Sequence, residues 1–255
     1  MSKKKIVEGE CSVCGNIGRL SYEHIPPRSA FNNKPIQIQN HINLFEKESF
    51  LFGKGTRLNK GLGAYTLCEP CNNNSGEWYA KDYADFANQA MTQMKTQDFT
   101  NGLLSFQFEI KPLNIIKQVM MMFFSANKGS ILSSDKELVD FVMKKENLTL
   151  PEKYRIYLYY TLSSHRRMNG NFTIRTENGQ NSNLSEVNFL PFGFVLAIDS
   201  PPPNRFMVDI SDFSKIQYNR EMKLQINAGL LSISSVFTGV YDNVDVHSTK
   251  KRNIY

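Results

Sequence analysis

Residues 68–72 read Cys68-Glu69-Pro70-Cys71-Asn72, and how this stretch is understood decides the fold. Two thiols separated by two residues form half of a tetrahedral metal site, and an amide follows the second thiol directly. The matching half is Cys11-Ser12-Val13-Cys14, which exhausts the 4 cysteines of the 255-residue chain. Two matched pairs argue against a thioredoxin-like redox motif, which needs only one. In a reducing compartment they favour metal over disulfides. The expectation is a structural Zn2+ held by Cys11, Cys14, Cys68 and Cys71, with Gly15 giving the first pair its tight turn.

Roughly 50 residues separate Cys14 from Cys68, against ~15–20 in a compact zinc ribbon, so something is inserted between the halves. Within that insertion, residues 20–25 predict a short strand cut off by Pro26-Pro27, which sets Glu23-His24 at a strand end. The glycine-rich basic stretch 52–63 lacks a Walker spacing. It is either a flexible hairpin or a phosphate-contacting loop using Lys54, Arg57 and Lys60. Tyr65-Thr66-Leu67 predicts a second strand running into Cys68. Asn74 with Glu77 three residues on predicts a helix start, with Asn72 just ahead of it. Tyr79, Tyr83, Phe86, Ala90 and Met94 then recur at helical spacing as an apolar stripe for the core.

The pieces Cys11-x-x-Cys14, Glu23-His24-Ile25-Pro26-Pro27 and Cys68-x-x-Cys71-Asn72 resemble the HNH, or ββα-metal, endonucleases, in the subgroup with a four-cysteine zinc. The resemblance covers about the first third of the chain. It implies that Glu23 and Asn72 hold a catalytic Mg2+ or Mn2+ and that His24 is the general base. The chemistry wants the same residue types. Imidazole titrates near neutrality, and oxygen ligands suit hard cations while thiolates select zinc. Two departures stand out: Glu23 replaces the more usual Asp, and the middle asparagine that braces the loop has no clean counterpart. Gly63 occupies its neighbourhood; Asn59 is the choice for the role, with Asn43 and His41 as alternatives. Asn73 and Asn74 compete with Asn72 as ligand.

Composition changes near residue 100, which predicts an HNH-type domain over 1–100 and a second α+β domain, with a mostly antiparallel sheet, over 101–255. Residues 113–124 and 134–144 predict helices. Residues 154–161, 172–176, 187–198, 206–210, 222–226 and 235–241 predict strands, with turns at Asn178-Gly179 and Pro201-Pro202-Pro203. The second domain would serve target recognition, sensing or oligomerisation. Tyr157, Tyr159, His165, Arg166 and Arg167 could stack bases or hold phosphate, the plainer alternative being a core strand followed by a solvated loop.

A net charge of +6 suits an acidic partner, though much of it sits in terminal lysines. No run approaches the ~20 apolar residues of a membrane span, and no apolar run follows the basic N-terminus, so a cytoplasmic location is expected. The partner implied is DNA, with RNA as an alternative. The resemblance also suggests restriction or phage defence, with a homo-oligomer or a defence-system partner protein in that setting. The rival class is a non-catalytic, zinc-stabilised module that binds nucleic acid or protein.

Overall fold

The computed structural model describes residues 6–96, 102–129, 132–175, 180–233 and 235–243. The basic chain ends and the Asn178-Gly179 turn lie outside them. In chain order, β1 (Val7–Glu10) and β2 (Ile17–His24) form a hairpin around Cys11 and Cys14. A small hairpin, β3 (Ile36–Ile38) and β4 (Thr56–Leu58), encloses the short helix α1 (His41–Phe45). Next, β5 (Gly63–Cys68) pairs antiparallel with β2, setting Leu20 opposite Cys68 and His24 opposite Gly63. It runs directly into α2 (Glu69–Trp78), followed by α3 (Ala80–Met94).

The helix starts earlier than Asn74 predicts, with Cys68 and not Asn74 at the cap position. Pro70 in the first turn has no N–H to lose there, and Cys68 occupies the cap position without a side-chain cap. Asn72 therefore sits inside the helix and not ahead of it. The stripe Tyr79, Tyr83, Phe86, Ala90 and Met94 is buried throughout, as its spacing predicts.

The remainder is α+β with antiparallel sheets. Strand β6 (Leu103–Ile110) pairs with β12 (Met222–Gly229), and α4 (Pro112–Ala126) lies between. Helix α5 (Lys136–Met143) is capped by Asp135, whose carboxylate accepts from the Glu137 and Leu138 N–H groups. A five-stranded sheet in the order β11-β7-β10-β9-β8 closes the fold. Its members are β7 (Tyr154–Tyr160), β8 (Arg167–Arg175), β9 (Asn181–Phe189), β10 (Phe192–Ile198) and β11 (Val208–Asp209). The predicted strand 187–198 is two strands, broken at Leu190-Pro191. The predicted strand 235–241 is not a strand among its described residues; Ser235 to Gly239 form bends and turns.

Helix α4 explains how the halves relate. It is buried on every side, so it cannot belong to the surface of either half. One cluster of buried side chains runs from Cys11 through Phe86 and Met120 to Leu230. The compositional change near residue 100 therefore does not coincide with a break in the core.

Candidate metal centre and cleft

The ligand-bearing sulfurs of Cys11, Cys14, Cys68 and Cys71 all lie within 4.8 Å of one another. Four thiolates ~2.3 Å from a shared centre would stand ~3.8 Å apart. Cys14 and Cys68 are separated by 3.8 Å, far beyond a disulfide bond. The donor set and spacing both fit a structural Zn2+. Local structure builds the site from two ends: the β1–β2 turn supplies one pair, and the β5–α2 junction supplies the other. The Gly15 N–H donates to the Cys11 carbonyl at 2.9 Å and closes the turn, with Gly15 at φ 70°. The hydrogen bond with Cys71 favours the Cys11 thiolate and disfavours its partner's, which is how the first of several crowded thiols ionises.

Beside this centre a cleft of about 160 Å³ is lined by Glu23, His24, Arg28, Asn72, Ser75 and Gln118, among others. Residue alternation on β2 turns Glu23 inward and His24 outward, and both still border the cleft at the strand's end. Glu23 is buried, and its carboxylate accepts hydrogen bonds from the hydroxyls of Ser125, on α4, and Thr66. Burial pushes its pKa up to about 8, against the two hydroxyl bonds that favour the anion. Asn72 donates through Nδ2 to Ser21 Oγ at 2.9 Å and to the Tyr22 carbonyl at 3.3 Å, so Oδ1 is the end those bonds leave free. Ser75 lies one turn on along the same face of α2.

The His24 ring is held by Nε2, 3.0 Å from the Lys60 carbonyl. A carbonyl only accepts, so Nε2 carries the proton and Nδ1 carries the lone pair. Partial burial lowers the His24 pKa, and the Arg28 and Lys60 charges add to that, while the carbonyl opposes it. The ring is thus neutral near pH 7 and able to take a proton.

Asn59 does not brace this site. Its side chain is exposed and accepts from Arg57 at 3.1 Å. Asn43, another candidate, donates to the Lys54 carbonyl within its own loop. His41 opens α1, away from the end of β2 in the chain. The brace is Asn32, which sequence reasoning missed. Only 1% exposed, it donates to the Pro26 and Leu62 carbonyls and accepts from the Leu62 N–H, each at 2.7 Å. Those bonds tie the segment after His24 to the segment that presents the Lys60 carbonyl. Gly61, at φ 93°, comes so close to Asn32 that a Cβ there would collide with its backbone oxygen. The available signal was an amide between Phe31 and Asn33, just beyond the proline pair.

The second set of predicted nucleic-acid contacts is largely withdrawn from solvent. Tyr159 is buried and donates to Glu186 at 2.5 Å, and Arg167 is buried against the same carboxylate at 2.6 Å. Both faces of β7 are covered, so its tyrosines are core and not a stacking platform. His165 stays exposed, and Arg166 lies over the Phe189 ring. In the basic hairpin, Lys54, Arg57 and Lys60 are exposed, with Lys54 over the Phe50 ring.

Among the described residues no helix is long and apolar enough to cross a membrane. Comparisons with protein-family models, with curated proteins and with solved structures found no match for this chain.

Proposed function

We propose that the chain is a divalent-cation-dependent endonuclease of the HNH type, hydrolysing phosphodiester bonds in DNA. Its strongest support is the single cleft that Glu23, His24 and Asn72 share, next to the cysteine tetrad and at the junction of two strands with a helix. In this reading His24 takes the proton of the attacking water at Nδ1, with Nε2 anchored on the Lys60 carbonyl. Arg28 at the cleft and the nearby Lys60 give the positive charge a phosphate needs. Glu23 and the free Oδ1 of Asn72 are hard oxygen ligands for Mg2+ or Mn2+. When bound, the ion would supply charge neutralisation at the phosphate and leaving oxygen. The cysteine tetrad would carry Zn2+ and shape the scaffold. A role in bacterial restriction or phage defence, and RNA as substrate, belong to the same proposal as its setting and its variant.

The test is nicking of supercoiled plasmid with and without Mg2+ or Mn2+, comparing wild type with His24→Ala and Asn72→Ala. The expected result is cation-dependent nicking that falls about 10²–10⁴-fold in His24→Ala, with an unchanged melting curve. Equal activity in wild type and His24→Ala would mark a contaminant and remove the reading. The rival, a non-catalytic zinc-stabilised binding module, draws on one observation: the buried Glu23 carboxylate is engaged by the hydroxyls of Ser125 and Thr66. Nucleic-acid binding without any cation-dependent nicking would favour it.

A further inference from the structure

Helix α4 belongs to the part of the chain that the HNH resemblance does not cover, yet it reaches the cleft. Gln118 lines the same cavity as Glu23, His24 and Asn72. It is only 3% exposed, and its Oε1 has no hydrogen-bond partner in the protein. Buried amide oxygens are nearly always satisfied, so an orphaned one at a cavity wall points to a partner from outside the chain.

The neighbours restrict what that partner is. Glu23, Asn72 and Gln118 border one cavity together with His24 and Arg28. The Asn72 N–H groups are committed to β2, and the Glu23 carboxylate accepts from Ser125 and Thr66. That leaves the amide oxygens of Asn72 and Gln118 as the acceptors without a partner among those bonds. Acceptors crowded together call for a cation or for water polarised by one. A volume of about 160 Å³ holds an ion with several waters, given the ~30 Å³ share of each water in the liquid. Mg2+ and Mn2+ keep such waters and take oxygen donors.

We propose that Gln118 is a third oxygen group for the divalent cation of this cleft, its Oε1 coordinating the ion directly or accepting a hydrogen bond from one of its waters. The inference rests on the endonuclease reading of the site and adds to it. The cation site is composite: β2 and α2 bring two of its groups, and α4 brings the third from beyond residue 100. Gln118 helps hold the cation in this scheme and takes no part in the proton transfer at His24.

Titration calorimetry with MnCl2 on the full-length, zinc-loaded chain provides the test, with electron paramagnetic resonance of the bound Mn2+ as a second readout. Gln118→Met keeps the length and apolar volume but removes the acceptor; Gln118→Glu keeps an acceptor and adds charge. The expected result is a Kd about 10–100-fold weaker in Gln118→Met. Gln118→Glu should bind as tightly as wild type or tighter, and the melting temperature of Gln118→Met should not fall. Mn2+ binding by Gln118→Met with the wild-type Kd overturns the proposal and leaves the endonuclease reading standing. Absence of Mn2+ binding in wild type overturns both. Should Gln118→Met fail to fold, Gln118→Asn, one carbon shorter, gives the same comparison with the same deciding outcomes.

Discussion

Asn32 shows how much a single amide can hold. Its three bonds all go to backbone atoms, one to Pro26 and two across 30 residues of chain to Leu62, in a place water does not reach. Replacing it by Ala leaves the Pro26 carbonyl and the Leu62 N–H unpaired, while the Leu62 carbonyl keeps the Ile25 N–H at 3.0 Å; each such unpaired buried group costs ~1–3 kcal/mol. Asn32→Ala is therefore expected to lose at least ~2 kcal/mol in urea unfolding. It should also lose nicking activity in protein that is still folded, because the Lys60 carbonyl is no longer fixed against His24. A variant with wild-type stability and activity would remove Asn32 as the brace. At this scale the closeness of the four cysteines, and the meeting of Glu23, His24 and Asn72 at one cleft, were legible from type and spacing. Asn32 was not, because its partners are backbone atoms and backbone atoms leave no trace in a list of side chains.

At the level of elements, the apolar pattern was an uneven guide: it found elements that are buried all round and missed one that buries a single face. Residues 113–124 lie within α4, and the strand predicted over 154–161 is β7, which ends one residue earlier. Strand β6 was passed over although its residues alternate exposed and buried along the whole length. The start of α2 was misplaced because Asn74 and Glu77 imitate a cap, while Pro70 marks the true first turn. The cap of α5 is secure. Burial opposes the Asp135 charge, but hydrogen bonds from Lys153, the Leu138 N–H and Tyr154 prevail and hold its pKa below the ordinary 3.8. A lowered carboxylate pKa stabilises the fold above the unfolded value and loses that effect only as acid protonates it. Asp135→Ala is accordingly expected to cost ~0.5–2 kcal/mol, by the same amount at pH 6 and pH 8, while Asp135→Asn retains most of the cap. Urea midpoints of the three proteins at both pH values check this.

For the molecule as a whole, the decisive fact is a core shared from Cys11 to Leu230. Composition suggested two units because polar loops crowd the first hundred residues. Composition says nothing about which side chains meet. Glu23 meeting Ser125, and Tyr79 donating to the Val142 carbonyl at 2.8 Å, are contacts no local pattern announces. Binding energy at the cysteine centre is folding energy, and a shared core distributes it. Purified chain is expected to carry one zinc by elemental analysis. Stripping it with a strong chelator, or making Cys11→Ser, should lower a single cooperative melting transition by several degrees. Two separate transitions, with only one moved, would contradict the shared core.

The buried Arg167 has a consequence for the end of the chain. Its guanidinium donates to the Ser235, Phe237 and Val240 carbonyls, and Glu186 is its carboxylate partner. Phe237 also stacks on Phe45, near the basic hairpin. Clipping the polypeptide at residue 234 would strip those acceptors and leave an interior counterion pair half solvated. Such a shortened chain should resist trypsin less well than the intact one, with β8 among the first segments cut. The turns from Ser235 to Val240 thus behave as a plug over a charged interior.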